Sequence, residues 1–303
     1  MLAFLVNPAV IGLAVLLLSI VWMLRDEKDR TRPLLVIALV LNLVYGWVLA
    51  FVMGKENGLV PWKYDYVLAR FDDALGLNAA HIATALLHAG LRMPLFVVYQ
   101  LMVPLMVVWF FVARARRQSG AIIVTYVAEM LAGPALYALV PACGPAYAFH
   151  AGWLRPPMVE PQVIRLSGNP NAFPSLHIAT ALAFVLFAPS RWTRIAALAF
   201  LAATGLATIS AGEHYVIDLA AGLAFGSFAA AIGKRSYVAA GLFGGIALCW
   251  SLAVRFAHVF LLGHPGLLQA AAAATMAAVV LNVVMEWRRK SEVTSSTVVY
   301  AAG

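Results

Sequence analysis

Long apolar stretches alternate with short polar segments along almost the whole chain. A helix needs about 20 mostly apolar residues to cross the hydrocarbon core of a bilayer, and nine stretches approach that length. They lie at residues 3–24, 34–53, 94–113, 121–141, 174–189, 195–211, 214–233, 237–257 and 267–287. The pattern predicts an all-α fold, a polytopic transmembrane helix bundle of about nine spans.

Composition supports this interpretation and excludes an ordinary soluble domain. Hydrophobic residues make up 63% of the 303 residues and charged residues only 11%. The first apolar stretch has no basic segment before it and no small-residue cleavage site after it, so we expect a retained helix rather than a signal peptide. Any chemistry must therefore be built from helix ends and from two longer loops, residues 54–93 and 142–173.

The net charge of +8 is explained by membrane topology rather than by nucleic-acid binding. Lys and Arg cluster in alternate inter-span segments, at residues 25–32, 114–117, 191–194, 234–235 and 288–290. Because basic residues accumulate on the cytoplasmic side of a membrane, the pattern predicts an N-terminus outside and a C-terminus inside. The loop 142–173 then faces outwards. Cys143 lies in that loop and Cys249 in the middle of a span, so no disulfide is expected.

The first long loop mixes apolar residues with acidic ones. Apolar side chains recur at near-helical spacing around Asp65, Asp72 and Asp73. This pattern is typical of amphipathic helices that lie in the membrane interface. We therefore favour a structural role for this loop over a substrate-binding role for the adjacent Asp72 and Asp73.

Polar residues also stand where two apolar stretches begin. The first is "NAFPSLHIAT", residues 171–180, with Ser175 and His177, and the second is "ISAGEHYVIDLAAG", residues 209–222, with His214 and Asp218. His214 and Asp218 are four residues apart, so on a helix they share one face. The predicted topology brings both histidines to the outer side of the membrane, where they could form one site.

These residue types suit phosphoryl transfer, which needs a nucleophile, an acid for the leaving oxygen and donors for the phosphate charge. His214 could attack phosphorus with Asp218 orienting it, and His177 could protonate the leaving group. Ser175 and the start of the following helix could hold phosphate oxygens. The alternative is that both histidines cap helices at the interface and that Asp218 is a buried partner.

The two motifs also carry a family resemblance. "FPSLH" followed by "HYVID" resembles the second and third signatures of the type 2 phosphatidic acid phosphatase superfamily, PSGH and SRxxxxxHxxxD. The chain looks most like the inositol phosphorylceramide synthase branch, over about residues 121–233. The resemblance implies a six-helix lipid-phosphatase-like core, with His177 as the acid, His214 as the nucleophile that forms a phosphohistidine, Asp218 as its support and Ser175 as a phosphate ligand.

The chain departs from the family pattern in its cations. Ala207 and Thr208 occupy the Ser and Arg positions of the third signature. The first signature, KxxxxxxRP, is matched in part only by the segment 25–33, on the predicted inner face, and by Arg155-Pro156. Tyr147, in a "CGPAYAF" segment similar to one in the inositol phosphorylceramide synthase branch, is a further candidate to contact substrate, as are Arg155 and Arg165. Structural roles for these residues remain open.

We expect an integral membrane lipid phosphotransferase that moves a phosphoryl head group between lipids. The alternatives are a lipid phosphate phosphatase acting on phosphatidic acid or isoprenoid phosphates, and a non-catalytic lipid-binding or transport protein. The expected partners are membrane lipids, without nucleic acid, metal or other cofactor, and the expected location is a bacterial inner membrane with the site on its outer face. Glu129 and Glu213 receive no role, and the donor, the acceptor and the oligomeric state stay open.

The chain is expected to divide into four parts. These are N-terminal spans with interfacial helices at 1–120, a catalytic core at 121–233, C-terminal spans at 234–287 and a disordered tail at 288–303.

Overall fold

The computed structural model describes residues 60–114, 118–155 and 160–301, which are almost entirely helical. The predicted spans 3–24 and 34–53 and the basic segment 25–33 lie outside these residues. The elements in chain order are β1 Trp62–Lys63, α1 Asp65–Ala74, α2 Ala79–His88, α3 Arg92–Gln100, α4 Met102–Arg114, α5 Ser119–Leu139, α6 Pro145–Ala148, a 3₁₀ turn His150–Gly152, β2 Ile164–Arg165, α7 Leu176–Phe187, α8 Arg191–Ser210, α9 Val216–Gly233, α10 Tyr237–Phe256, α11 His258–Gly263 and α12 Pro265–Ala301.

Five of the described helices are long and apolar enough to cross a membrane. They are α5, α8, α9, α10 and the Pro265–Arg288 part of α12. A sixth is reached if α2 and α3, which meet at an angle of 113°, form one broken span. The all-helical membrane fold is therefore confirmed, whereas the count of nine spans is not.

Two predicted spans do not form single long helices. The stretch 94–113 is divided between α3 and α4 at Leu101. The stretch 174–189 forms only the 12-residue helix α7. At 1.5 Å per residue, α7 is about 18 Å long, too short for a hydrocarbon core of about 30 Å. Ser175 caps its start, and Pro189 prevents the chain from continuing in helical geometry.

Helix α7 lies at the centre of the bundle. Its residues from Ile178 to Phe187 are buried without interruption, as expected of a helix that is hydrophobic on all sides. Helix α9 packs directly against it through Gly222 and Gly226, a GxxxG spacing. A Cβ atom at Gly226 would lie 2.7 Å from the backbone of Ala179. Close approach of α7 and α9 therefore depends on glycine, and it brings their N-terminal ends together.

Two peripheral segments also differ from expectation. Helix α1 does not present its acidic residues evenly to the surface, because Asp65 and Asp72 are buried while Asp73 is exposed. Helix α12 runs through residues 288–301, the segment expected to be a disordered tail. Cys143 is buried and Cys249 is exposed, and both are free. The division of the chain into four parts stays a prediction.

Candidate active site

The two histidines of the sequence motifs lie side by side. His177 is the second residue of α7, and His214 lies in the turn between α8 and α9. Their ring centroids are 5.7 Å apart, with the ring planes inclined at 70°. The tight α7–α9 contact at Gly222 and Gly226 makes this proximity possible, because it aligns the starts of both helices.

Hydrogen bonding defines which nitrogen of His214 is available. Nδ1 lies 2.7 Å from the backbone oxygen of Ala172 and 3.4 Å from Oδ2 of Asp218. A carbonyl oxygen can only accept, so Nδ1 carries the proton and Nε2 keeps its lone pair. The carboxylate of Asp218 is also held in place, because Oδ2 accepts a 2.8 Å hydrogen bond from the backbone N–H of Tyr215.

The environment keeps His214 uncharged at neutral pH. Burial lowers the pKa of His214 to about 4, although the hydrogen bond to Ala172 and the charge of Glu213 both act in the opposite direction. The side chain is 2% exposed. A neutral imidazole with a free Nε2 is the form in which histidine acts as a nucleophile.

Ser175 is the N-cap of α7 and also links it to α9. Its Oγ accepts a 3.4 Å hydrogen bond from the N–H of Ile178, and its own N–H donates to the backbone oxygen of Asp218 at 3.1 Å. The N–H groups of Leu176 and His177 have no acceptor among the described residues. A helix start with free N–H groups favours an anion, and here it lies beside both histidines.

Aromatic and acidic side chains surround the histidines. The ring of Tyr99, on α3, lies 4.5 Å from that of His177. The hydroxyl of Tyr147 lies 3.2 Å from a carboxylate oxygen of Glu213, and Tyr99 interacts electrostatically with both of these residues. Tyr147 was indicated by its sequence motif, whereas Glu213 had no role assigned. Tyr99 could not be found from the sequence, because nothing in the apolar stretch 94–113 marks that residue.

The two arginines proposed to contact substrate are exposed. Arg155 follows Leu154, whose backbone oxygen accepts a hydrogen bond from Thr84 on α2, and Arg165 lies in β2 opposite Trp62. Neither forms an ion pair with another described residue. The described structure therefore does not bring either guanidinium into contact with the histidines.

Glu129 is buried in α5. One carboxylate oxygen is 2.7 Å from Oγ1 of Thr180, one turn after His177 on α7. The other oxygen has no hydrogen-bond partner among the described residues. Within the same residues, no group of three or more His, Cys, Asp or Glu side chains is arranged to hold a metal ion.

Comparison with known families agrees with the motifs and the geometry. A family model described as the PAP2 superfamily matches residues 67–232, which is more than half of the chain. A search of curated proteins found no similar protein, and a search of solved structures found none either. The match does not confirm the inositol phosphorylceramide synthase branch. It spans α1 to α9 and includes both histidines, and on this basis the chain belongs to the PAP2 superfamily.

Proposed function

We propose that this protein is a lipid phosphotransferase, similar to inositol phosphorylceramide synthase, in which His214 carries the phosphoryl group between two lipids. The observation that supports this most directly is the pairing of a neutral His214, with Nε2 free, and His177 at 5.7 Å between ring centroids. One imidazole can attack phosphorus while the other serves the leaving oxygen.

The reaction consists of two balanced steps. In the first, Nε2 of His214 attacks the phosphorus of a lipid phosphodiester; a P–N bond forms, the P–O bond to the lipid alcohol breaks, and the departing oxygen takes a proton from His177. In the second, the hydroxyl oxygen of the acceptor lipid attacks phosphorus, its proton returns to His177, and the P–N bond breaks. Asp218, 3.4 Å from Nδ1, stabilises the positive charge that His214 gains.

The charge around the site supports a diester donor over a phosphate monoester. Ala207 and Thr208 replace the Ser and Arg of the family signature, and Arg155 and Arg165 are exposed. A dianionic monoester depends most on fixed cations, whereas a diester has one negative charge fewer. Glu213 at the rim would further disfavour a dianion. Ser175 and the N–H groups of Leu176 and His177 suit a single phosphate charge.

An apolar groove next to the site supports a lipid substrate. Its cavity volume is about 640 Å³, and its lining residues include Ile178 and Val216, which lie next to the site segments in the chain, and Leu198, Ala202 and Leu219. Apolar side chains provide most of this surface, so a hydrocarbon chain can fill it without leaving polar groups unpaired. We propose that the lipid chain of the donor occupies this groove.

We further propose that the site faces the outside of a bacterial inner membrane, as the distribution of basic residues favours. Introducing Arg155→Cys in a chain whose Cys249 is replaced by serine tests this. In intact spheroplasts an impermeant thiol reagent should label the new cysteine, and a matched chain with Arg235→Cys should stay unlabelled. The reverse labelling would contradict the proposed orientation.

A lipid screen tests the function itself. Purified protein in mixed micelles is incubated with phosphatidylinositol plus ceramide, with phosphatidic acid and with isoprenoid phosphates, and lipid products and free phosphate are measured. A new phospholipid that forms only when an acceptor lipid is present supports the transferase. Release of free phosphate without any acceptor would reject it in favour of a lipid phosphate phosphatase. His264→Asn, an exposed histidine on the described surface, serves as the control against His214→Asn.

A further inference from the structure

Helix α1 contains two buried carboxylates that the proposed mechanism does not use. Asp65 is 0% exposed and Asp72 is 1% exposed. A buried carboxylate is costly unless hydrogen bonds satisfy it, so the identity of its donors indicates its role. The donors of both residues include residues that directly follow His214 in the chain.

Asp72 binds the start of α9. Its two carboxylate oxygens accept hydrogen bonds from the backbone N–H groups of Val216 and Ile217, at 2.8 and 2.9 Å. These are the first two residues of α9, whose N–H groups have no partner within their own helix. A negative charge at this end of a helix is also favoured by the helix dipole. Asp72 therefore caps a helix that lies about 145 residues further along the chain.

Asp65 binds the same region from the opposite end of α1. It accepts a 3.0 Å hydrogen bond from the hydroxyl of Tyr215. It also accepts hydrogen bonds from the backbone N–H groups of Cys143 and Gly144, the shorter of them 2.8 Å. Asp65 thus connects the loop that carries Tyr147 to the residue that follows His214.

The hydrogen bonds converge on residues 215–217. The backbone N–H of Tyr215 donates to Asp218, its hydroxyl donates to Asp65, and the next two N–H groups donate to Asp72. His214 directly precedes this segment and does not belong to either neighbouring helix. We therefore expect the backbone position of His214 to depend on how residues 215–217 are held.

We propose that α1 is a positioning element of the active site, in which Asp72, assisted by Asp65, holds the His214–Asp218 segment in its reactive geometry. Neither carboxylate has a hydrogen bond or ion pair with His177 or His214 in the described structure, so both are positioning residues and not catalytic ones. The kinetic part of this inference rests on the proposed function, whereas the structural part does not.

The main variant is Asp72→Asn, and Asp73→Asn is its matched control. An asparagine at 72 keeps one accepting oxygen but turns an NH₂ group towards a backbone N–H, which breaks one of the two hydrogen bonds. Asp73 is the next residue of the same helix, and among the described residues its carboxylate bonds only to Arg70 and Asn78 near the surface. The control therefore makes the same chemical change without altering α9.

Two readouts are measured on the full-length protein in detergent. The first is the ¹⁵N NMR spectrum of histidine-labelled protein without substrate, with the His214 signal assigned from the His214→Asn variant. We expect Asp72→Asn to shift or broaden the signal of the Nδ1-protonated tautomer, and Asp73→Asn to leave it unchanged. The second is turnover: we expect kcat to fall by about 100-fold, the usual effect of a displaced catalytic group, with KM nearly unchanged.

The outcomes separate this inference from the proposed function. An altered His214 signal together with a lower kcat supports the positioning role. If the wild-type protein has no transferase activity but Asp72→Asn still alters the ¹⁵N signal of His214, the positioning role is supported and the proposed function is rejected. An unchanged His214 signal and unchanged kcat in folded Asp72→Asn overturn the positioning role. If that variant does not fold, failure to fold shows that Asp72 is needed to hold α9, and Tyr215→Phe, which removes only the hydroxyl bonded to Asp65, then tests the assisting residue: an unchanged His214 signal there overturns the role of Asp65.

Discussion

The backbone oxygen of Ala172 lies 2.7 Å from Nδ1 of His214, so the segment that precedes one histidine sets the tautomer of the other. This hydrogen bond joins the motifs "NAFPSLHIAT" and "HYVID" into a single site. It is shorter than the 3.4 Å contact between His214 and Asp218. The carboxylate therefore acts mainly on the charge of His214, whereas the carbonyl orients the ring.

Asp218→Asn should reduce kcat by clearly less than the roughly 10⁴-fold drop seen when a triad histidine loses its correct tautomer. The reason is that the carbonyl of Ala172 still accepts the proton on Nδ1. Steady-state turnover and the ¹⁵N tautomer signal of His214 measure the two effects separately. A change of tautomer in Asp218→Asn would contradict this division of roles.

The roles of the two histidines can be separated by the leaving group of the donor. His177→Asn should slow transfer from a natural lipid donor by about 10²–10⁴-fold, the usual contribution of a general acid. With a nitrophenyl phosphodiester, whose leaving group needs no proton, most of that loss should disappear. His214→Asn should remain inactive with both donors, because no phosphohistidine can form. Equal losses for both donors in His177→Asn would contradict its role as the acid.

The first chemical step should be insensitive to mild acid. Burial lowers the pKa of His214 to about 4, and the nucleophile is active above that value because only the neutral form has a free Nε2. With the nitrophenyl donor, whose leaving group takes no proton from His177, the rate of leaving-group release in a single turnover should therefore be constant from about pH 7 to pH 5 and fall as His214 is protonated near pH 4. The carboxylate of Glu213 raises this pKa, so Glu213→Gln should move the fall to lower pH. A fall centred near the ordinary histidine value of about 6.5 would be inconsistent with a buried neutral His214.

The same glycine substitution should have opposite effects at two positions. Gly226→Ala places a methyl group 2.7 Å from the backbone of Ala179 and should lower the free energy of unfolding by about 1–3 kcal/mol through overpacking. Gly241→Ala, in α10 with no atom within 4 Å of the new Cβ, should raise it by up to about 1 kcal/mol through helix propensity. Thermal unfolding in detergent compares the two variants, and destabilisation of equal size would contradict the close α7–α9 contact.

A larger side chain in the apolar groove should weaken the binding of long-chain lipid donors more than that of short-chain donors. Ala202 lines the groove, and Ala202→Phe should exclude some methylene groups of a long-chain donor. Each methylene group excluded from the groove lowers the binding free energy of the lipid by about 0.8 kcal/mol, so the loss of two should raise KM by about tenfold or more. A short-chain donor should be little affected. The control is Ala199→Phe, because Ala199 lies on the same helix and is exposed but does not line the groove. An equal effect of both variants on both donors would show that the hydrocarbon chain of the lipid binds elsewhere.

Removal of divalent metals should leave transfer unchanged, because the proposed steps use only imidazole, carboxylate and hydroxyl groups. Activity is measured in micelles with EDTA, and then with EDTA plus excess Mg²⁺. A loss in EDTA that Mg²⁺ restores would contradict the proposed mechanism.

The sequence by itself determined that the protein is a helical membrane protein, and it indicated the two histidines of the candidate site. Apolar runs near membrane length and unusually few charges leave a helical membrane bundle as the consistent fold. His177, His214 and Asp218 stand out because ionisable groups are rare within such runs, and Ser175 stands out because it directly precedes one of them. The sequence did not determine how many runs cross the membrane, because the length of a helix such as α7 depends on its cap and on Pro189.

Only the tertiary structure decided what surrounds these histidines. Ala172, Tyr99 and Asp72 reach the site through contacts between residues that are distant in the chain, and a backbone carbonyl leaves no mark on residue type. Asp72 and Asp73 are chemically identical neighbours in the sequence. One is buried against the N-terminus of α9 and the other faces the surface, because α1 packs on α9 along one side only.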